Sequence, residues 1–146
     1  MRDVDTREIS RVTASQVAFG ERLGLSLEGD TVGVAWAKIS DVLQREFWRR
    51  DDLGSPTDKQ VRLAEKIGID VSGLSRTVAN AVIDDIMTQL NLNAIRRQNL
   101  APGVKVRRKY HPGVEWVISS IHEDGTVYFK GGNGQRAWAR SVERIP

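Results

Sequence analysis

Apolar residues recur at helical spacing in two stretches, at Val17, Gly20 and Leu23 and again at Val61, Ala64 and Ile67. A second pair of such stretches follows, at Val34, Ala35, Ile39, Val42 and Leu43, and at Val78, Ala79, Ile83, Ile86 and Met87. The spacing predicts four helices, two in each half of the region. Thr13 with Gln16 and Thr57 with Gln60 form the Thr-x-x-Gln pattern of a capping box, in which hydroxyl and amide satisfy free backbone N–H groups. Gly24 and Gly68 sit where a left-handed residue would stop each first helix. Leu25-Ser-Leu27 and Ile69-Asp-Val71 then alternate apolar and polar, so each extended loop turns two side chains inward. Gly29 and Gly73 turn the chain, and Thr31 or Ser75 caps the second helix. All four prolines, Pro56, Pro102, Pro112 and Pro146, fall outside these helices.

From Asn91 the helical pattern fades, Pro102-Gly103 marks a boundary, and the remainder switches to a period of two. Val104 to Arg107, Glu115 to Ile121, Gly125 to Lys130 and Gln135 to Arg140 read as strands, and Val142 to Ile145 as a short closing strand or turn. His111-Pro-Gly113, Glu123-Asp-Gly125 and Gly131-Gly-Asn-Gly134 supply the turns. An isolated hairpin is not stable in water, so short strands at this density predict a small closed or nearly closed barrel.

Sliding the chain against itself by 44 residues aligns 13–43 with 57–87 without a gap, and eleven of 31 positions are identical. The identities include apolar positions (Val34/Val78, Ile39/Ile83) and punctuation (Thr13/Thr57, Gly24/Gly68, Gly29/Gly73), with Asp41/Asp85 among them. Coincidence does not match both kinds of position, and the segment reads as a duplication. Three modules follow: two helical repeats at 1–55 and 56–100, and a strand-rich module at 101–146. The expected class is α+β.

Charge changes the picture through its distribution. The formal net charge is +3 over 146 residues. Residues 1–55 hold eight basic and ten acidic side chains, net −2; 56–100 hold six and five, net +1; 101–146 hold eight and four, net +4. A basic module attracts polyanions, whatever its fold. The absence of Cys removes disulfides and thiolate chemistry, and His111 and His122 are too few for a histidine metal site. No metal or other cofactor is expected. No apolar run spans a membrane and the first residues carry no signal-peptide core, so the expected location is cytoplasmic, nucleoid-associated or nuclear.

The segments Thr57-Asp-Lys-Gln-Val, Ile67-Gly-Ile-Asp-Val and Val78-Ala-x-Ala-x-Ile83, with their first-copy counterparts, resemble the SAP and helix-extended-loop-helix group of small domains. That resemblance implies duplex DNA, contacted through helix N-termini and basic residues. The first copy is acidic near its loop (Glu28, Asp30, Asp41), so the second, with Lys59 and Arg76, is the better placed of the two. Gly103-x-Lys-Val, Trp116-x-Val, Asp124-Gly-x-Val and Ala137-Trp-Ala-Arg-x-Val resemble Tudor-like or SH3-like barrels over about residues 102–146. This second resemblance implies binding of nucleic acid, peptides or methylated side chains held in aromatic cages.

Arg136, Trp138 and Arg140 share one strand face by alternation. Outward, they form a stacking platform between two phosphate-binding cations; inward, Trp138 is core and the arginines reach the rim. Lys105, Arg107, Arg108, Lys109, Trp116 and Lys130 complete the candidate nucleic-acid-binding set in this module. Trp36, matched by Asn80 in the other copy, reads as core between the copies. Of the paired carboxylates, Asp51-Asp52 lies in a linker, while Asp84 and Asp85 on a helix point about 100° apart and make no dyad. With no nucleophile–base ordering either, a non-enzymatic protein is expected: one that binds nucleic acid, DNA rather than RNA, through phosphates. The alternative is a protein-interaction adaptor whose barrel holds a peptide while its helices dock to a larger assembly.

Overall fold

The computed structural model describes residues 8–49 and 53–146. The expectations for the first residues of the chain and for Asp51-Asp52 fall outside them. The described chain is α+β, with helices α1 (Ala14–Arg22), α2 (Val32–Glu46), α3 (Asp58–Lys66) and α4 (Arg76–Gln98). Strands β1 (Lys105–Arg108), β2 (His111–Ile121), β3 (Thr126–Phe129), β4 (Arg136–Trp138) and β5 (Val142–Arg144) follow, with a 3-10 turn at Ala139–Ser141 before the last. They form one antiparallel sheet in the order β4-β3-β2-β1-β5. Two compact units divide the chain, one ending at Ile86 and the other running from Met87 to Pro146.

In the first unit both capping boxes form. The Gln16 N–H lies 3.1 Å from Thr13 Oγ1 and the Thr13 N–H 3.0 Å from Gln16 Oε1; the Thr57–Gln60 pair repeats this at 3.1 and 2.9 Å. Each glutamine also donates from Nε2 to the start of the next helix, Gln16 to the Val32 carbonyl at 3.3 Å and Gln60 to that of Arg76 at 3.4 Å. Gly24 and Gly68 take positive φ, +79° and +80°, where each first helix stops. Leu27 and Val71 from the extended loops are buried, and Leu27, Ala35 and Ile39 form a core with Val12, Leu23, Leu25 and Leu43 packed against it. Full burial of a Leu or Ile side chain stabilises by about 1.5–3 kcal/mol.

The caps of the second helices join the copies. Thr31 accepts the Val34 N–H and donates its hydroxyl to Asp85 of the second copy; Ser75 accepts the Val78 N–H and donates to Asp41 of the first. Donor positions and acceptor positions are each related by the same 44-residue shift. The bonds therefore interchange the copies, as contacts across a two-fold axis do. Asp41 is buried, and its second oxygen has no partner among the described residues.

Trp36 corrects its sequence reading: it is 55 % exposed rather than core. Its counterpart Asn80 is exposed as well, so this helix position faces outward in both copies.

In the second unit Ala94, Leu100, Val106, Ile118, Val127, Phe129, Ala139 and Val142 form the core. The helix expected to fade at Asn91 continues to Gln98. Gln89 and Asn91 interrupt its apolar pattern, yet both are buried: Asn91 bonds to the far end of the sheet, and Gln89 Nε2 donates to Asn93 at 3.0 Å. His111-Pro-Gly113, expected as a turn, opens β2, and the reversal falls at Lys109-Tyr110. Residues 112–114 have no partner in β1, because the register jumps between Arg107↔Glu115 and Arg108↔His111. Pro112 thus sits where the ladder needs no N–H. The fourth strand ends at Trp138, not Arg140, and passes into the 3-10 turn.

The expected closed barrel is also corrected, since the sheet is open with β4 and β5 as its edges. Those strands have three residues each and are separated by the turn, too little backbone to complete a ladder. The edge of β5 is covered instead by a side chain. Gln98 donates from Nε2 to the Val142 carbonyl at 3.2 Å and accepts the Arg144 N–H at 2.8 Å, standing in for a neighbouring strand.

Candidate nucleic-acid interface

Cross-strand register fixes which side chains share a face. Thr126 pairs with Trp138, Tyr128 with Arg136, and Ser120 with Tyr128, while Val127, Phe129 and Ala137 turn to the core or pack against it. Trp138 is therefore outward, and it is 47 % exposed. The Arg136 guanidinium lies 5.8 Å from the Tyr128 ring centroid and that of Arg140 5.3 Å from the Trp138 centroid. Both fall within the range of cation–π attraction. His122 packs on Tyr128 at 4.4 Å between centroids. Two arginines are thus each laid over an aromatic ring on one side of the β3–β4 ribbon.

Arg140 is held from below by Asn91. Its backbone N–H and Nη1 reach Asn91 Oδ1 at 3.3 and 3.0 Å, and Asn91 Nδ2 donates to the Asp124 carbonyl at 3.1 Å. Burial pulls the guanidinium below its ordinary value, and an arginine remains a cation at neutral pH. Gly125 allows this approach, because a Cβ there would lie 2.2 Å from that of Asn91.

The other candidate residues occupy different places. Trp116 is half-buried, stacked on Phe129 at 4.9 Å, with the Arg108 guanidinium 5.6 and 5.5 Å from the two centroids. Arg108 also bonds to Gln135 Oε1 and the Arg136 carbonyl, at 3.2 and 3.3 Å. An internal cation thus lies over the rings that would line an aromatic cage. Arg107 is paired with Glu143 at 2.9 Å and faces Glu115 across the strands. Lys105 and Lys109 are exposed, the first on β1 and the second in the following turn. Lys130 is exposed just past β3, where Gly131-Gly-Asn-Gly134 forms the loop to β4. The Gly132 and Gln135 N–H groups bond within that loop at 3.4 and 2.9 Å, so they are not aimed at a phosphate.

Lys59 and Arg76 belong to the first unit. Lys59 is exposed on the first turn of α3, and Arg76 Nε donates to the Ser55 carbonyl at 3.2 Å. Asp84 and Asp85 are engaged separately, Asp84 by Asn80 at 3.4 Å and Asp85 by Thr31. Burial raises both carboxyls; for Asp85 the Thr31 hydroxyl opposes the rise, Asp84 adds to it and Arg11 opposes it.

Sequence reasoning missed Tyr128, His122 and Asn91 as parts of this face. Alternation along β3 already set Tyr128 opposite Val127 and Phe129. The placement of Asn91 had no local signal, since its partners lie 33 and 49 residues away. Among the described residues no group of His, Cys, Asp or Glu could hold a metal ion, and no helix is long and apolar enough to cross a membrane. In comparison with known proteins, no family model, no curated protein and no solved structure matches this chain.

Proposed function

We propose that the protein binds nucleic acid without catalysing a reaction on it, DNA rather than RNA, chiefly through phosphate contacts. One observation carries the reading: Arg136 on β4 and Arg140 in the 3-10 turn that follows it are laid over Tyr128 and Trp138. Arg136, stacked on its ring, keeps its N–H edge for phosphate oxygens, while Arg140 has Nη1 engaged by Asn91 and offers the rest of its guanidinium. A guanidinium held in this way loses little rotamer entropy on binding. The excess of positive charge in 101–146 favours the same partner. Strand order β4-β3-β2-β1-β5 with a 3-10 turn before the last strand supports the SH3-like resemblance of the second unit, and paired helices with equivalent caps support the SAP-like resemblance of the first.

Fluorescence anisotropy of labelled duplex DNA, single-stranded DNA and RNA, titrated with salt, tests the reading. Binding that weakens with salt is expected, because phosphate neutralisation releases counterions. Flat anisotropy with all three at low salt rejects it. An adaptor function then stands in its place, favoured by Trp36, Phe47 and Trp48, which are 55, 72 and 74 % exposed. Leu43, Phe47 and Trp48 line an open hollow of about 490 Å³ at the end of α2.

A further inference from the structure

We infer that the ligand of the β3–β4 face is a single strand, with one base stacked on Trp138. The inference rests on the nucleic-acid reading above and narrows it. Duplex recognition through phosphates needs many cations; about six to ten contacts are typical of proteins that rely on them. This face supplies Arg136 and Arg140, with Lys130 just beyond the end of β3. Arg107, on the β1 part of the sheet, is already neutralised by Glu143, and Arg144 Nη1 donates to the carbonyls of Gln98 and Asn99 at 3.1 Å each. The charge left over suits a short run of phosphates.

The face does offer aromatic surface, which an intact duplex cannot use because its bases are stacked on one another. Trp138 is nearly half exposed beside a cation fixed by the buried Asn91. Tyr128 carries more: His122 and Arg136 both pack on its ring, whereas among the described residues Arg140 is the one group laid over that of Trp138. Trp138 is thus the ring available to a base, and Arg136, two residues along the same strand, is placed for a neighbouring phosphate. Strand β4 has three residues and so spans about 10 Å, room for two or three nucleotides. Glu123 and Asp124 sit in the β2–β3 hairpin at one end and disfavour a longer polyanionic track.

The test uses the full chain, with labelled oligo-dT, oligo-rU and a mixed-sequence duplex of equal length, at low salt. The single strands are expected to bind at least tenfold tighter than the duplex. Trp138→Ala should weaken single-strand binding roughly five- to hundredfold, the range for one base–aromatic stack, while changing duplex binding less than twofold. Trp138→Phe should restore most of the loss and keeps the result interpretable if the alanine variant unfolds. The dT and rU arms separate DNA from RNA, which share stacking and phosphate chemistry. Duplex binding as tight as single-strand binding overturns the inference, as does equal loss for both ligands in Trp138→Ala; either leaves the broader reading standing. No binding of any of the three overturns both.

Discussion

Gly20 and Leu27 in the first copy correspond to Ala64 and Val71 in the second, and all four are buried. A Cβ placed on Gly20 would lie 2.5 Å from Leu27 Cδ1. The second copy has the extra methyl on the helix and a smaller side chain in the loop, so volume is exchanged across one contact. Gly20→Ala alone should therefore destabilise by about 1–3 kcal/mol from overpacking, less the ~1 kcal/mol that Ala contributes over Gly in a helix. Leu27→Val alone should cost about 1 kcal/mol for the lost methylene. The double variant copies the second repeat and should lie closer to wild type than the singles sum to, in urea denaturation. That relation was legible in the aligned sequence, because identity and compensation both appear at one offset. Asn91 was not: a polar residue on a helical stripe reads as the end of the stripe unless its distant partners are known.

Helices were more legible than strands, for a physical reason. Capping boxes and glycine stops are local, and Thr13, Thr57, Gly24 and Gly68 act within a few residues of themselves. Strand limits depend on partners. Pro112 looks like a turn until the register jump opposite it is known, and Arg140 looks like a strand residue until Asn91 claims its N–H. The cap of α2 is local in one bond and long-range in the other, since Thr31 also donates to Asp85 on α4. Burial holds the Asp85 carboxyl above its ordinary value of 3.8 in the folded chain. A raised acid binds its proton more readily folded than unfolded, so its contribution favours folding at low pH and is lost as pH rises through the raised value. Asp85→Asn removes that titration and keeps an oxygen for Thr31. Its thermal midpoint relative to wild type should therefore rise from below pH 3.8 to neutrality, and an unchanged difference would show that the carboxyl does not titrate abnormally.

For the whole molecule, sequence located the charge but not its use. Of the eight basic residues in 101–146, Arg107 meets a carboxylate, Arg108 lies over internal rings and Arg144 bonds to carbonyls near the end of α4. Composition counts these side chains as equal, whereas folding leaves only some of them for a ligand. The double variant Arg136→Ala/Arg140→Ala should accordingly weaken nucleic-acid binding at least tenfold more than Lys59→Ala/Arg76→Ala, measured on the same labelled strand. The reverse order would move the interface to the helical unit. The exchanged caps of that unit have a further consequence. Neither copy supplies both halves of its own Thr31–Asp85 or Ser75–Asp41 bond. A solitary repeat could close them only by meeting another chain, and its folding would then follow protein concentration. Joining the repeats in one chain replaces that encounter with an internal one at about millimolar effective concentration, so the tandem arrangement folds equally well when dilute.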